Sequence, residues 1–300
     1  MTILRTLLAG LLSLIWIGTL SAQPLVSPSW LHDNRQRENL VILDLQETQG
    51  FQRHHIPGAV NTDYGQWRTD KKGTPKLIPP VSQLERLIGS LGIDNDSQVV
   101  LVSLGASAGD LTSAARVYWT FKALGHDKTS ILDGGLVAYA QSRRYPLERG
   151  DSKPQARTFK ANLRSEMIPT SKEIKLALEN GSMAVDNRSR AEYLGIYAGA
   201  GRERAGSLPK AVHLNYDWLT VNGSGKLHSI ENLQRIYKAS DVPLKGSQIN
   251  YCHTGHRASL GWFVSHEILG NTQAKLYDGS TEEWAVDKKL PMDLQVRLDP

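Results

Sequence analysis

The sequence predicts an α/β protein built twice, each copy a central parallel sheet flanked by helices on both faces. Three observations predict it. Short, continuous apolar runs alternate with segments of helical spacing, which suits strands buried on both faces and helices covering them. The same order of elements then returns after a nearly constant interval: Asp44 to Asp186 is 142 residues, Pro57 to Pro209 is 152, and Asp133 to Asp278 is 145. A duplication is the economical explanation of that interval. Finally, a chain of 300 residues suits two domains of about 100–150 residues better than one.

In chain order, Ser27 or Ser29 caps a short helix at Pro28-Ser29-Trp30-Leu31. Leu40 to Leu45 is a buried strand carrying Asp44 near its end, and a Pro57-Gly58 turn leads to a second short strand. Ser82 caps a helix whose apolar positions are Leu84, Leu87, Ile88 and Leu91. Gln98 to Val102 is a strand, and Leu111 to Leu124 is a helix ended by Gly125. Ser130 to Leu132 is a strand before Asp133-Gly134-Gly135, and Leu136 to Ser142 is the last helix of the first copy. The second copy repeats this with a helix from Ser171, a strand Met183 to Asp186, a helix Ile230 to Tyr237 and a strand Gln248 to Tyr251. A helix Ala258 to Leu269 and a strand-turn Lys275 to Gly279 complete it. The polar, proline-bearing stretch from Gly150 to Phe159 separates the copies. The expected domains are therefore 23–150 and 166–300, with a linker at 151–165.

Residues 1–22 read as an export signal: Arg5 precedes a nearly all-apolar run from Leu7 to Leu20, and Ser21-Ala22 offers a small-residue cleavage site. The run is shorter than the roughly 20 residues a spanning helix needs. A periplasmic or secreted protein, free of the membrane after cleavage, is the expectation. The net charge of +5 is spread without runs of Lys or Arg, which excludes a nucleic-acid stripe and leaves a weak attraction for small anions.

Chemistry concentrates at Tyr251-Cys252-His253-Thr254-Gly255-His256-Arg257-Ala258-Ser259, which holds the single cysteine of the chain. One cysteine cannot make an intrachain disulfide, so in an oxidising compartment it is either buried and inert or kept for reactivity. A thiol between a strand and a helix sits among unpaired N–H groups at the positive end of the helix dipole, and thiolate is the reactive form. His253, His256 and Arg257 add positive charge nearby. In parallel sheets ligands bind at the carboxyl ends of the strands, where Asp44, Ser103, Asp186 and Cys252 all fall. Cys252, His253 and His256 are too close together on one loop for a metal site, and no cofactor is called for.

With the duplication, these motifs resemble tandem-domain rhodaneses, the thiosulfate and 3-mercaptopyruvate sulfurtransferases. The resemblance covers the chain from about residue 25 to its end. It rests on the loop from Cys252 to Ala258, on Tyr277-Asp278-Gly279-Ser280 with Trp284, and on Leu132-Asp133-Gly134-Gly135 in the first copy. The loop is closest to exported bacterial rhodanese-like proteins. What the resemblance implies is a sulfurtransferase in which Cys252 takes the outer sulfur of a small anionic donor as a persulfide and passes it to cyanide or a thiol. The loop residues His253, Thr254, Gly255, His256 and Arg257, together with Arg188, would bind the donor or shape the loop, and Asp186 would support the site. A curled loop presents several N–H groups to sulfur without a metal, and Gly255 permits the curl.

Two departures from the family stand out. The first copy reads Ser103-Leu104-Gly105-Ala106 where a cysteine would be, with an expected loop a few residues longer, so it cannot carry a persulfide. Where the family commonly places a substrate-binding arginine after the Asp186 strand, this chain has Glu192, with Arg188 and Arg190 close by. Arg188 is left open between pairing with Asp186 or Glu192 and holding substrate. A cysteine-dependent phosphatase or arsenate reductase would need the arginine six positions after the cysteine, and Arg257 is five after Cys252. A non-catalytic persulfide carrier stays open.

Overall fold

A computed structural model describes residues 22–71, 73–196 and 204–298; apart from Ala22, the segment read as an export signal lies outside the described residues. The strands of the first copy are β1 (Leu25–Val26), β2 (Leu40–Asp44), β3 (Val60–Asn61), β4 (Thr69–Lys71), β5 (Thr74–Leu77), β6 (Gln98–Val102) and β7 (Thr129–Leu132). Those of the second are β8 (Met183–Asp186), β9 (Val212–His213), β10 (Gln248–Tyr251) and β11 (Ala274–Leu276). The sheets run β1-β7-β6-β2-β3 and β11-β10-β8-β9, and every pairing within them is parallel; β4 and β5 form a separate antiparallel ribbon.

The helices of the first copy are α1 (Pro28–Asn34), α2 (Thr48–Arg53), α3 (Val81–Ser90), α4 (Ala108–Ala123) and α5 (Gly135–Ala140). The second copy adds α6 (Ser171–Glu179), α7 (Arg190–Leu194), α8 (Ile230–Ala239), α9 (His256–Phe263) and α10 (Ser280–Trp284). Their starts are set by side chains that accept the orphan amides of the first turn. Ser27 caps α1, and reciprocal Ser/Thr–acid capping boxes start α4 (Ser107 with Asp110), α6 (Thr170 with Glu173) and α7 (Ser189 with Glu192).

Successive residues of a strand point to opposite faces. In the first sheet Ile42, Val100, Val102 and Leu132 face Leu31 of α1, Phe51 of α2 and Tyr139 of α5. Leu43, Val99, Leu101 and Ile131 face the other way, onto α3 and α4. In the second sheet Ala184, Ile249 and Tyr251 pack with Ile174 and Trp284 on the outer face. Its inner face, with Val185 and Leu276, joins the inner face of the first copy in one apolar core that also contains Cys252. The two copies therefore share a core through α4 and α9, and the site is set against it.

Two expectations need correcting. The residues between strand and helix number five in the first copy (103–107) and four in the second (252–255), so the first loop is longer by one residue, not a few. The segment from Ala258 to Leu269 begins earlier, at His256, and changes at Val264–Ile268 into a π-helical turn. The stretch after Gly150 has no regular element yet is fastened to the first copy. Arg157 N donates to Gly89 O, Asn162 N to Leu124 O, and Phe159 is buried.

Candidate active site

Cys252 follows the last residue of β10, and α9 starts four residues later. Gly255 closes the turn with φ +66, in the left-handed region that suits glycine, and a Cβ there would lie 2.5 Å from Arg116 Nη1 and 2.7 Å from Asp278 O. The thiol is at the base of this loop, 1% exposed. Backbone N–H groups of Cys252 and Gly255 both donate to Ser280 Oγ, at 3.1 and 3.2 Å, while Ser280 donates to Tyr277 O. Ser280 is thus a peg that holds both ends of the loop, kept there at a left-handed φ of 49° that costs a non-glycine residue roughly 1–3 kcal/mol. The first-turn amides of α9 have no intrahelical acceptor and point their dipole toward the loop.

The duplication can be read atom by atom. Cys252 O and His253 O accept from Thr281 N and Glu282 N; in the first copy Ser103 O and Leu104 O accept from Leu136 N and Val137 N. Ser103 is the counterpart of Cys252, and Gly135 (φ +58) that of Ser280. The Ser103 hydroxyl is buried without a hydrogen-bond partner among the described residues. Beside it opens a cavity of about 1160 Å³ reached by Gln46, Arg53, His54 and Tyr64.

The charges around Cys252 are arranged differently from what the sequence led one to expect. Arg188 is buried and bound through Nε and Nη2 to Asp186, whose Oδ2 also accepts the Tyr251 hydroxyl at 2.7 Å. Of the two roles left open for it, the structure shows the pairing with Asp186, which braces the end of β8. Arg257 makes a two-pronged ion pair with Glu192, at 2.8 and 3.0 Å, and the same carboxylate accepts from His253 Nε2 and from Ser189. Burial pushes the Glu192 carboxyl up, but the bonds from His253, Arg257 and Ser189 outweigh it and hold the group well below the usual carboxylate range. Glu192, the acid of the α7 capping box, thus takes up two of the groups expected to draw in an anion. Thr254 contributes its carbonyl, which accepts from Arg68.

The first copy supplies the rest of the site. Tyr64 OH lies 2.6 Å from His256 Nδ1. Burial, with Arg68, Arg116, Arg257 and Lys76 around it, pushes His256 down to about 3, and burial raises Tyr64, so both are neutral and share one hydrogen bond at Nδ1. Arg68 Nη2 donates to Thr254 O at 2.7 Å and its guanidinium stacks on the Tyr64 ring. Arg116 of α4 is fully buried beneath Gly255, over the Trp119 ring, with Nη2 2.5 Å from Asp278 Oδ1 in an ion pair that lacks hydrogen-bond geometry. The other oxygen of Asp278 accepts from Ile78 N across the copies.

Sequence reasoning missed Tyr64, Arg68, Arg116 and the Ser280 peg. Arg116 left one signal, an arginine within a helix that is apolar nearly all round. The other three left none, because their partners lie 25 or more residues away.

Comparison with known proteins matches the rhodanese-like domain to residues 27–142 and again to 170–287. The chain is 31% identical over 279 residues to a Mycobacterium tuberculosis protein named "Putative thiosulfate sulfurtransferase", covering 90% of this chain and 97% of that one. A Haloferax volcanii protein of the same name is 30% identical over 274 residues, covering 87% and 92%. Among solved structures, SseA from Escherichia coli, described among 3-mercaptopyruvate sulfotransferases, superposes with a TM-score of 0.76 at 24% identity, covering 86% of this chain and 98% of that one.

Proposed function

The chain belongs to the rhodanese family and is a sulfurtransferase, and on that premise we propose that it moves sulfane sulfur through a persulfide on Cys252. The Cys252 thiolate attacks the outer sulfur of the donor; with thiosulfate the S–S bond breaks and sulfite leaves with the electron pair. The acceptor, cyanide or a thiolate, then attacks the terminal sulfur of the persulfide and carries it away, and the electron pair of the broken S–S bond returns to Cys252 as thiolate. No redox partner is consumed in either step.

The observation that carries this reading is the position of Cys252, at the base of a four-residue loop between β10 and α9. A sulfur anion there lies, buried, at the N-terminus of α9, whose first-turn amides have no intrahelical acceptor. Five positions to Arg257, with that arginine turned to Glu192, do not suit a phosphate loop. The names of the relatives at 30 and 31% identity support thiosulfate as the donor. We further assign the copies to 23–150 and 166–300, and export to residues 1–22; N-terminal sequencing of the protein recovered from cell fractions tests the latter.

The decisive experiment compares wild type with Cys252→Ser in thiocyanate production from thiosulfate and cyanide, alongside intact mass. The expected result is a gain of about 32 mass units with thiosulfate, and turnover, both lost in the variant. A persulfide without turnover with cyanide or any thiol establishes a carrier instead. No mass gain with any sulfane donor overturns sulfur transfer at Cys252.

A further inference from the structure

Resting on that reading, we propose that Arg68, from the copy without a cysteine, is the cation that receives the negative charge of the sulfur donor. An anionic donor entering at Cys252 needs a positive group that is near the sulfur and not already spent. Arg257 and His253 are both bonded to Glu192, Arg188 to Asp186, and Arg116 to Asp278. His256 is neutral and its Nδ1 is taken by Tyr64. Lys76 is exposed, so water already solvates its charge.

Arg68 differs on each count. Its two recorded hydrogen bonds go to carbonyl oxygens, Thr254 O in the loop and Lys76 O on the ribbon, and no carboxylate lies within ion-pair distance of it among the described residues. Carbonyls position a guanidinium without cancelling its charge. The side chain is half-buried, held by Thr254 O to the active loop two residues from Cys252, with its guanidinium carbon 5.7 Å from the centre of the Tyr64 ring. A guanidinium offers five N–H groups in a rigid fork that matches carboxylate or sulfonate-like oxygens. Two of these N–H groups are used. The remainder are available to the terminal oxygens of thiosulfate or the carboxylate of a mercapto acid. The donor-binding arginine that the sequence lacks after β8, where Glu192 stands, is thus supplied from the other copy.

The test is Arg68→Gln and Arg68→Lys, assayed with thiosulfate and with an uncharged sulfane donor, a dialkyl trisulfide. For Arg68→Gln the kcat/KM with thiosulfate falls about 10- to 100-fold, the worth of a hydrogen bond to a charged group. The loss lies mainly in KM, Arg68→Lys recovers part of it, and the trisulfide rate changes less than about threefold. Equal losses with both donors, or no loss with thiosulfate, overturn the proposal. Thiosulfate binding to Cys252→Ser, with and without Arg68→Gln, reads the same contact by calorimetry without turnover. Weaker binding on loss of Arg68 upholds the proposal even if sulfur transfer fails, and unchanged binding rejects it even if transfer holds.

Discussion

Replacing Gly255 by alanine separates what the active loop demands of the backbone from what the neighbouring copy demands of it. At φ +66 a residue with a Cβ pays roughly 1–2 kcal/mol. The new methyl would also stand 2.5 Å from Arg116 Nη1 and 2.7 Å from Asp278 O, inside any normal contact. Neither neighbour can retreat: Arg116 is fully buried and Asp278 is fixed by Ile78 N. Overpacking of this kind adds about 1–3 kcal/mol, so Gly255→Ala is expected to cost about 2–5 kcal/mol. Gly58→Ala is the internal reference, since Gly58 has φ +81 and nothing within 4 Å of its would-be Cβ. The gain from stiffening the unfolded chain is common to both substitutions and cancels in the comparison. Urea midpoints at equal slope give the two costs, and the rate of persulfide formation shows whether the loop has moved off the sulfur. If Gly255→Ala costs no more than Gly58→Ala, the close approach of Arg116 beneath the loop is wrong.

Two further predictions follow from buried carboxyl groups. Asp44 is raised from 3.8 to about 6, chiefly by burial that bonds from Gln46 only partly offset. Below about 3.8 it is protonated in both states; between there and 6 the unfolded chain ionises first, so the wild type loses about 3 kcal/mol as pH rises through that window. Asp44→Asn removes this slope, so the variant gains about that much on the wild type between pH 4 and pH 7.5 in urea titrations; a constant gap between them refutes it. Glu192 is depressed below its ordinary 4.5, so its contribution is present above that pH and lost as pH falls. Glu192→Gln therefore costs about 2–4 kcal/mol at pH 7, and the cost shrinks below pH 4.5. A cost that does not depend on pH would show that the Glu192 carboxyl is not held below its ordinary range.

Some of this was legible in the sequence and some was not, for identifiable reasons. The apolar runs ending at Asp44 and Asp186 became β2 and β8, because a strand buried on both faces needs only hydrophobic continuity. The six residues of α2 gave no helical signal: Phe51 is its one buried residue, and its cap makes no side-chain bond. Glu192 was visible as a departure from the family pattern, but not as the partner of Arg257 and His253. Those pairs span 65 and 61 residues, and only the parallel register of β8 against β10 brings them together. Charge near a cysteine in sequence is therefore weak evidence about charge near its sulfur.

Comparison of the two copies shows what the one without a cysteine contributes. Asp44 is held by Gln46 as Asp186 is held by Arg188, with the same backbone bond from the residue two positions on. The scaffold has thus survived while its charge has not. Ser103 stands where Cys252 does and Gly135 where Ser280 does, so the loop of the first copy has neither the sulfur nor the clamp on its amides. Its remaining chemistry is turned outward, through Tyr64 on His256, Arg68 on Thr254 and Arg116 under Gly255. Trp67 and Phe121 of this copy lie in the same apolar core as Cys252 and Trp262. Removing the first copy would open that core to water and strip the loop of three side chains at once. The copy that holds Cys252 is consequently not a unit waiting to be isolated: the surroundings of its loop are completed across the duplication.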